Sequence, residues 1–319
     1  RPVLASSIGS EKSIFELILC AINYLSIYHK NISLKNRNMK PLQIKNILIP
    51  TDFSQTGLLA VEHAVFMARL CKANLFLFHA IELSKTTFGI YDAVIEMPDF
   101  SDIKKIANNK LTELANMLRK KHGITVKTIC IKGKVAYEVV NAVKENKIDI
   151  VVMGTHGASG FNEYFIGSNA HKIVTVCPCP VITVQTNAKK LGFSNIVLPI
   201  DNKFNSRQKV NAAISLAKKY AAKIHVLGLL DKDGGVNPNK FKVKLDSVEK
   251  AIQKAKVTYQ IKTKKADNLS LASIKYSKKV KADLIVVLSD EESHLSGLLF
   301  GAFAKQIVNH SKIPVMSIP

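Results

Sequence analysis

The sequence predicts an α/β protein made of two tandem domains, each with a parallel sheet covered by helices on both faces. Three observations support this fold class. Short, apolar, β-rich runs alternate with longer stretches of helical spacing. Much of the chain is repeated once. With 319 residues, of which 47% are hydrophobic, the chain suits two domains better than one.

The repeat is visible as two gapless alignments. The segment that begins NILIPTDFS at Asn46 matches the segment that begins NIVLPIDNK at Asn195, an offset of 149 residues. Further on, KIDIVVM and CPVITV match KADLIVV and IPVMSI at an offset of 134. The second copy is therefore 15 residues shorter, the difference between the two offsets, in the region after Glu82. Each copy has the size of a usual single domain.

Within the first copy, five runs are predicted to be strands: NILIP, NLFLFHA, TVKTICI, DIVVMG and PVITV. Between the first two, alanines and valines from Ala60 to Ala68 recur at helical spacing and predict a helix with one apolar face. The strands are largely apolar, as expected when helices cover both faces of a parallel sheet. Right-handed crossovers should connect them.

We expect three regions along the chain. Residues 1–38 form an N-terminal extension outside either domain, which we interpret as an over-extended translation start before Met39. A signal peptide over Ser13 to Ile27 is the alternative. The first domain covers 43–186 and the second covers 193–319, with the polar stretch from Gln185 to Ser194 as the linker.

Composition argues against several functional classes. The net charge of +22 comes almost entirely from scattered lysines, which predicts a solvated coat and no specific nucleic-acid partner. The nearest candidate for a membrane helix, SIFELILCAINYLSIY, is short and carries Glu16, so we expect no membrane span. Five cysteines form no CxxC pair, which suits a reducing cytosol, so we expect a cytoplasmic protein. Cys177 and Cys179 supply only two ligands, with no histidine at zinc-finger spacing, so we expect no metal site.

The stretch GTHGASGFNEYFIGSNAHKIV, after the fourth strand, suggests a ligand site. In an open parallel sheet, ligands bind beyond the carboxyl ends of the strands. Gly154 and Gly157 allow a tight turn and a close backbone approach to a ligand. At the other side of the same crevice, Asp52 could accept hydrogen bonds from a base or a sugar. Ordinary turns are the alternative explanation of such glycines, and Gly160 is assigned only to loop flexibility.

The end of the same stretch opens a helix. Gly167, Ser168 and Asn169 precede apolar residues at helical spacing. A helix start offers unpaired amides and a positive dipole end, which favour phosphate. We expect the Ser168 side chain to cap this helix. Together with Asp52, these residues predict a nucleotide site.

At this point the chain from Met39 onward resembles a tandem universal stress protein of the UspA type. Gly154, Gly157, Gly167 and Ser168 match the family's G-x2-G-x9-G-[ST] motif, and PTDFS matches its first-strand loop. The resemblance implies a strand order of 3-2-1-4-5 in each domain. It also implies internal pairing of the last strands, PVITV against PVMSI, and leaves a homodimer open.

The resemblance further implies that the first domain binds ATP, with ADP or AMP as alternatives and Mg²⁺ as an optional companion. It assigns the nucleotide to Pro50, Thr51, Asp52, Ala80, Met153, Gly154, His156, Gly157, Gly167, Ser168 and Asn169. In the second copy only one motif glycine remains, Gly301. The other positions become Leu288, Glu291, Ala302 and Phe303. We therefore predict that the second domain does not bind ATP as the first does.

Three functions follow from this sequence. The preferred one is an ATP-binding stress-response regulator that an unidentified protein partner reads. A slow ATPase or autophosphorylating enzyme is the first alternative, with His156 as its acid or base and Ser168 or Thr155 as phosphate acceptors. A non-binding interaction module is the second. The chain has no G-x-x-x-x-G-K-[ST] loop, so catalysis is the less favoured reading. The stretch Thr86 to Leu111 is a candidate cover for the site.

Overall fold

The computed structural model describes residues 41–82, 100–155, 166–201, 207–232, 237–289 and 301–319. The strands of this part are β1 (Asn46–Pro50), β2 (Asn74–Ile81), β3 (Val126–Lys132), β4 (Ile150–Gly154), β5 (Val181–Val184), β6 (Asn195–Ile200), β7 (Lys223–Asp231), β8 (Tyr259–Ala266), β9 (Leu284–Leu288) and β10 (Val315–Ile318). Its helices are α1 (Gln55–Cys71), α2 (Phe100–His122), α3 (Val135–Glu145), α4 (Ser168–Val176), α5 (Arg207–Tyr220), α6 (Pro238–Lys254), α7 (Leu269–Lys279) and α8 (Ala302–His310).

All the strands belong to one sheet, in the order β3-β2-β1-β4-β5-β10-β9-β6-β7-β8. Each half therefore has the order 3-2-1-4-5, which confirms the predicted fold class and topology. Residues that pair in the first half have counterparts that pair in the second, at the same two offsets of 149 and 134 residues as in the sequence repeat. Ile47 faces Ile150 in the first half, and Ile196 faces Leu284 in the second. Within each half every strand pair is parallel.

The two halves join through β5 and β10, which pair antiparallel. Ile182 faces Met316, its own counterpart in the repeat, so a local two-fold axis passes through this pair. Both side chains are fully buried. The side chain of Thr183 adds a hydrogen bond to the carbonyl oxygen of Val315, at 3.3 Å. The predicted internal pairing of the last strands is thus confirmed.

Alternate residues of each strand contact different layers, as the period of a strand requires. In β1, Ile47 and Ile49 belong to one core cluster with residues of α1, α2, α5 and α6. Leu48 belongs to the other cluster, with residues of α3, α4 and α8. The strands are thus apolar along their length because a helical layer covers each face of the sheet.

Helix α1 shows how local sequence sets the position of the carboxyl edge. Ser54 is its N-cap, and the Ser54 hydroxyl accepts a hydrogen bond from the amide of Gly57 at 3.1 Å. At the other end, Lys72 adopts a left-handed conformation with φ of 54° and terminates the helix. The predicted stripe from Ala60 to Ala68 is buried against the sheet.

The gap between β2 and α2 is longer than the corresponding gap between β7 and α6. Helix α2 begins at Phe100. Residues 83–99, which include most of the candidate cover, lie outside the described residues. In the described parts of the chain, no helix is both long enough and apolar enough to cross a membrane.

Candidate functional site

A cavity of about 370 Å³ opens at the carboxyl ends of β1 and β4. This volume is in the range of small-molecule sites. The cavity is lined by Pro50, Thr51, Asp52, Gly57, Phe78, His79, Ala80, Val135, Met153, Gly154, Thr155, Gly167, Ser168, Asn169 and Ala170. Six structural elements contribute: the ends of β1, β2 and β4, and the starts of α1, α3 and α4.

Nine of the eleven residues named from the sequence line this one cavity. They are Pro50, Thr51, Asp52, Ala80, Met153, Gly154, Gly167, Ser168 and Asn169. The other two, His156 and Gly157, lie outside the described residues, so their part in the site stays a prediction. Gly160 lies outside them as well.

The loop after β1 is fixed by a chain of hydrogen bonds. The Thr51 amide donates to the carbonyl oxygen of Phe78 at 2.9 Å, which extends the sheet by one residue. Oδ1 of Asp52 accepts from both the amide and the hydroxyl of Ser54, at 3.1 and 2.6 Å. Ser54 in turn caps α1. The Asp52 carboxylate therefore sits beside a helix N-terminus, where negative charge is stabilised.

The next residue, Phe53, carries backbone strain. Its φ of 63° is uncommon for a bulky side chain. Two contacts fix it. The Phe53 amide donates to the hydroxyl of Thr51 at 3.0 Å, and the Phe53 ring lies 5.1 Å from the ring of His79. Strain of this kind is found where surroundings hold a functional loop in one geometry.

Two glycines make the close approach between this loop and β4 possible. A Cβ on Gly57 would lie 3.0 Å from Oδ1 of Asp52. A Cβ on Gly154 would lie 2.9 Å from Cγ2 of Thr56 and 3.1 Å from the Thr56 carbonyl carbon. The sequence interpretation of Gly154 as a site of ligand approach therefore misses its main constraint. Gly154 is needed because β4 packs directly on the first turn of α1.

The first turn of α4 forms the opposite wall. Gly167 is its N-cap, and the Gly167 amide donates to the carbonyl oxygen of Thr155 at 2.8 Å, which fixes the helix start to the end of β4. The first intrahelical bond runs from the His171 amide to the Gly167 carbonyl, at 2.9 Å. The amides of Ser168 and Asn169 come before that bond and therefore have no acceptor within the helix. The first turn carries no acidic residue, so it can attract an anion.

The prediction that Ser168 caps α4 is wrong. Gly167 occupies the cap position and no side chain caps the helix. Ser168 is the first helical residue instead, where a hydroxyl is no longer directed at the following amides as a cap hydroxyl would be. The conformation of Gly167, with φ of −57° and ψ of 149°, is open to any residue. Its lack of a side chain leaves room beside the cavity.

The rest of the lining is mostly apolar. Phe78 and Ala80 project from the same face of β2, and Met153 and Val135 face the same space from β4 and α3. The cavity thus has an apolar part and a polar part. Its lining within the described residues includes no lysine or arginine. An anionic group here would be held by backbone amides and hydroxyls.

The sequence interpretation missed several of the lining residues. The two-residue period of β2 places Phe78 on the same face as Ala80, so a signal for Phe78 was available. His79 lies beside Ala80 in FHAI. Its Nδ1 donates to the carbonyl oxygen of Thr51 at 2.8 Å and ties β2 to the loop after β1. Val135 has no local signal, because only the packing of α3 brings it to the site.

The corresponding place in the described part of the second half carries larger apolar side chains. By the two offsets, Leu229 replaces Ala80, Leu269 replaces Val135 and Phe303 replaces Asn169. These three residues belong to one hydrophobic cluster around Leu227 and Ala272. Leu229 is almost completely buried. We call this group of five residues the apolar plug.

Asp201, the counterpart of Asp52, has different neighbours. The side chain of Lys244 donates to the Asp201 carbonyl oxygen at 2.6 Å. Lys209, which replaces Ala60 on α5, is buried. Burial lowers the pKa of Lys209 to about 8, an effect that the charge of Asp201 partly opposes. Asp201 is itself buried, whereas Asp52 is exposed to its cavity.

The second half also contacts the border of the site in the first. The Ile166 amide donates to Oδ1 of Asn309, at 3.2 Å. Ile166 directly precedes the N-cap of α4, and Asn309 is on α8. The backbone that leads into the anion-attracting end of α4 is thus held by a side chain of the other half.

The described residues give no support to a protein-bound metal. No group of three or more His, Cys, Asp or Glu side chains among them could hold one. The sulfur atoms of Cys177 and Cys179 lie 3.6 Å apart, and both residues are buried as free thiols.

Comparison with known proteins gives a consistent result. The sequence model of the universal stress protein family matches residues 43–185 and 192–319. The chain is 27% identical over 146 residues to universal stress protein MJ0531 of Methanocaldococcus jannaschii, covering 46% of this chain and 85% of that protein. It is 28% identical over 145 residues to universal stress protein YxiE of Bacillus subtilis, covering 44% and 97%.

Similarity in structure extends over both halves. A universal stress protein from Archaeoglobus fulgidus superposes with a TM-score of 0.66 at 17% sequence identity. The match covers 87% of this chain and 97% of that one. At this identity the likeness shows the tandem fold alone.

Proposed function

Because the chain belongs to the universal stress protein family, we propose that its first half binds one adenine nucleotide and that the protein acts as a stress-response regulator. ATP is the preferred ligand, with ADP or AMP as alternatives. One observation carries the proposal. A single cavity joins the Asp52 loop to the start of α4, with an apolar wall between them.

The parts of the cavity suit the parts of a nucleotide. The apolar wall of Phe78, Ala80 and Met153 offers a surface for a flat base. The exposed Asp52 carboxylate can accept hydrogen bonds from the base or from ribose hydroxyls. The amides at the start of α4 and the Ser168 hydroxyl can receive phosphate oxygens. A magnesium ion that accompanies the nucleotide would take most of its ligands from phosphates and water.

The same lining favours binding over turnover. Catalysis of phosphoryl transfer depends on cations that stabilise the charge developing on the phosphates. Lysine and arginine are absent from the described lining. We therefore propose a nucleotide-binding regulator whose bound state a protein partner recognises. The cytoplasm is its proposed compartment. The sulfur atoms of Cys177 and Cys179 lie 3.6 Å apart without forming a disulfide, as expected in a reducing compartment.

One observation supports autophosphorylation as a second candidate. The hydroxyl-bearing residues Thr155 and Ser168 both line the cavity. If the protein transfers phosphate to itself, incubation with γ-labelled ATP should label one of these residues, as seen by mass spectrometry. Label that is absent from Thr155→Val and Ser168→Ala would support this candidate. No label after hours with a stoichiometric excess of ATP would remove it.

The second half is proposed to be a packing and partner surface. We propose that the apolar plug takes up the space that a nucleotide would need there, because its members pack together at that place. The joined sheet makes the two halves an intramolecular pair. Further association of whole chains into a homodimer remains a separate proposal.

Isothermal titration of the full chain with ATP tests the main proposal. We expect one site per chain, and native mass spectrometry should show one nucleotide carried through purification. Two equivalent sites would refute the role given to the apolar plug. No binding of ATP, ADP or AMP would refute nucleotide binding.

A matched pair of variants locates the site. Asp52→Asn keeps the oxygen that accepts from Ser54 but removes the charge, so ATP affinity should fall about tenfold. Asp201→Asn makes the same change in the second half and should leave ATP affinity unchanged. Equal losses in the two variants would mean that the nucleotide is not held where we place it.

A further inference from the structure

A second cavity lies on the outer surface of the first half, between α1 and α2. Its volume is about 380 Å³. Four large apolar side chains that line it are each more than a third exposed: Leu58, Phe66, Met117 and Leu191. Scattered apolar side chains are normal on a protein surface, but a contiguous apolar patch indicates a binding site. We call this cavity the α1–α2 groove.

One wall of the α1–α2 groove is the ring of Phe66, which packs against both α5 and the linker. The ring of Phe66 stacks against the ring of Tyr220, with the centroids 6.0 Å apart. Gly192, in the linker between the halves, lies against the other part of this ring with φ of +79°. A Cβ on Gly192 would lie 2.9 Å from Cε1 of Phe66. The ring is thus held in place, and the groove is formed before any ligand arrives.

Positive charge is concentrated at one end of the groove. Helices α1 and α2 both follow parallel strands of the sheet, so they run side by side and end at the same edge. Arg69 is in the last turn of α1, and Lys121 and His122 are in the last turn of α2. All three line the groove. The pKa of His122 is lowered by burial and by the charges of Lys121 and Arg69, so the three groups are close neighbours. Arg69 and Lys121 therefore carry the positive charge at this end, and the neutral His122 ring adds a hydrogen-bonding group.

Cations near helix C-termini are common without any ligand, because they complement the helix dipole. The distinctive feature is the exposed apolar stripe that leads to them. Glu62 lines the groove part of the way along the stripe. Its negative charge disfavours an anionic head group there, which leaves the cationic end as the place for one. The groove therefore suits an amphiphile with a single anionic head.

Within the described residues, the second half differs at the corresponding place. The counterpart of Phe66 is Ser215, whose hydroxyl accepts a hydrogen bond from the Leu42 amide at 3.1 Å. Leu42 precedes β1 and is itself the counterpart of Leu191. The segment before the first strand of each half thus contacts the other half. At α5, the contact is the hydrogen bond from the Leu42 amide to Ser215. At α1, the counterpart residue Leu191 instead lines an open apolar groove.

We propose that the α1–α2 groove binds a medium-chain fatty acid, with the carboxylate at Arg69, Lys121 and His122 and the alkyl chain along the exposed stripe of α1. From Leu58 to Arg69 the helix rises about 16 Å. A zigzag chain of single carbon–carbon bonds, each about 1.5 Å long, advances about 1.3 Å per bond, so about a dozen carbons cover most of that length. Charge-assisted hydrogen bonds from the cationic end fix the orientation.

Titration of the full chain with dodecanoate labelled with ¹³C at the carboxyl group tests the proposal, at concentrations where the free acid forms no micelles. We expect a saturable shift of the carboxyl resonance with one site per chain. Dodecyltrimethylammonium, with the same tail and a positive head, should show no saturable competition. Absence of a saturable shift, or equal competition by the cationic amphiphile, would overturn the proposal. The assay uses no nucleotide, so its outcome is independent of the proposed function.

Paired variants place the ligand in the groove. Met117→Asp introduces a charge beside the alkyl chain and should weaken dodecanoate binding at least tenfold. Val243→Asp makes the same kind of change at an exposed site on α6, outside the groove, and should change the affinity less than twofold. These exposed positions leave folding intact, which circular dichroism verifies. Equal affinities in the two variants would rule out the groove as the site.

The head-group contact has its own pair of variants. Lys121→Glu should weaken binding at least fivefold. Lys120→Glu changes the neighbouring cation of the same helix turn, which does not line the groove, and should have less than a twofold effect. If both variants weaken binding to the same degree, the effect is one of overall charge, and the assignment of the carboxylate fails.

Discussion

The two halves of the molecule have the same strands in the same order but differ at the carboxyl edge of the sheet. In the first half, the carboxyl edge of the sheet opens into a cavity. In the second, the apolar plug lies at the corresponding place. The strand pairings are nevertheless equivalent by the same two offsets. The fold therefore does not depend on the site, because sheet and helix packing lie beneath the edge where ligands bind.

The halves also differ in the surroundings of one residue that both copies of the repeat contain, the aspartate after the first strand. Asp52 is exposed and hydrogen-bonded to the N-cap of α1. Asp201 is buried near Lys209 and contacts Lys244 through its carbonyl oxygen. The same residue type belongs to a cavity-lining loop in one half and to an internal charge cluster in the other. The aspartate alone therefore does not identify a nucleotide site.

Transfer of the plug into the first half should have the largest effect. In the double variant Ala80→Leu and Asn169→Phe, two large side chains occupy the cavity, and ATP affinity should fall at least a thousandfold by titration calorimetry, about 4 kcal/mol. The far-ultraviolet circular dichroism spectrum should be unchanged, because the second half folds with these residues. Retained ATP binding would contradict the position of the site.

Removal of the plug tests its structural role. Leu229→Ala should lower the free energy of unfolding by about 3 kcal/mol, because it leaves a cavity in a buried cluster. Leu271→Ala, at an exposed position of the neighbouring helix α7, should change it by less than about 0.5 kcal/mol. Urea denaturation measures both. The second half should gain no ATP site in either variant, since Leu269 and Phe303 remain.

The buried lysine should make stability depend on pH. Unfolded Lys209 binds a proton up to its ordinary pKa, whereas the folded group has a pKa of about 8. Between these values the unfolded state binds more protons, so stability should rise as the pH increases from 8 towards 10. Lys209→Met should add about 2 kcal/mol of stability at pH 7, and this gain should shrink as the pH approaches 10.

The matched control for this variant is Lys218→Met on the exposed face of the same helix. It should leave both the stability and its pH dependence nearly unchanged. Thermal melts from pH 6 to pH 10 would compare the three proteins. A constant difference between Lys209→Met and the parent protein at every pH would show that the lysine is not held in the way described.

The smallest expected effect concerns the contact between the halves. Asn309→Ala removes the acceptor for the Ile166 amide and should lower ATP affinity by about 1 kcal/mol, or fivefold. Thr175→Ala, at the counterpart position on α4, removes a hydroxyl that bonds within its own helix and should leave the affinity unchanged. Equal affinities of Asn309→Ala and the parent protein would mean that the second half does not help to shape the site.

Much of the architecture was available from the sequence. The repeat and the apolar runs predicted the strands, their parallel arrangement and the edge where Asp52 and Gly167 meet. The assignment of the Ser168 cap failed because cap positions depend on one residue of backbone conformation, which composition does not reveal. The role of Gly154 was incomplete for a similar reason. Its neighbour, Thr56, is close only after β4 and α1 pack together.

The sequence by itself determined two tandem α/β halves, the polar loops at their carboxyl edges and the loss of motif glycines in the second. These features are local or periodic, so the order of residues encodes them directly. Only the tertiary structure decided that Leu229, Leu269 and Phe303 meet in the second half, that Asn309 reaches the border of the first, and that α1 and α2 leave an apolar groove between them. Each depends on side chains far apart in sequence, and packing alone determines which of those come together.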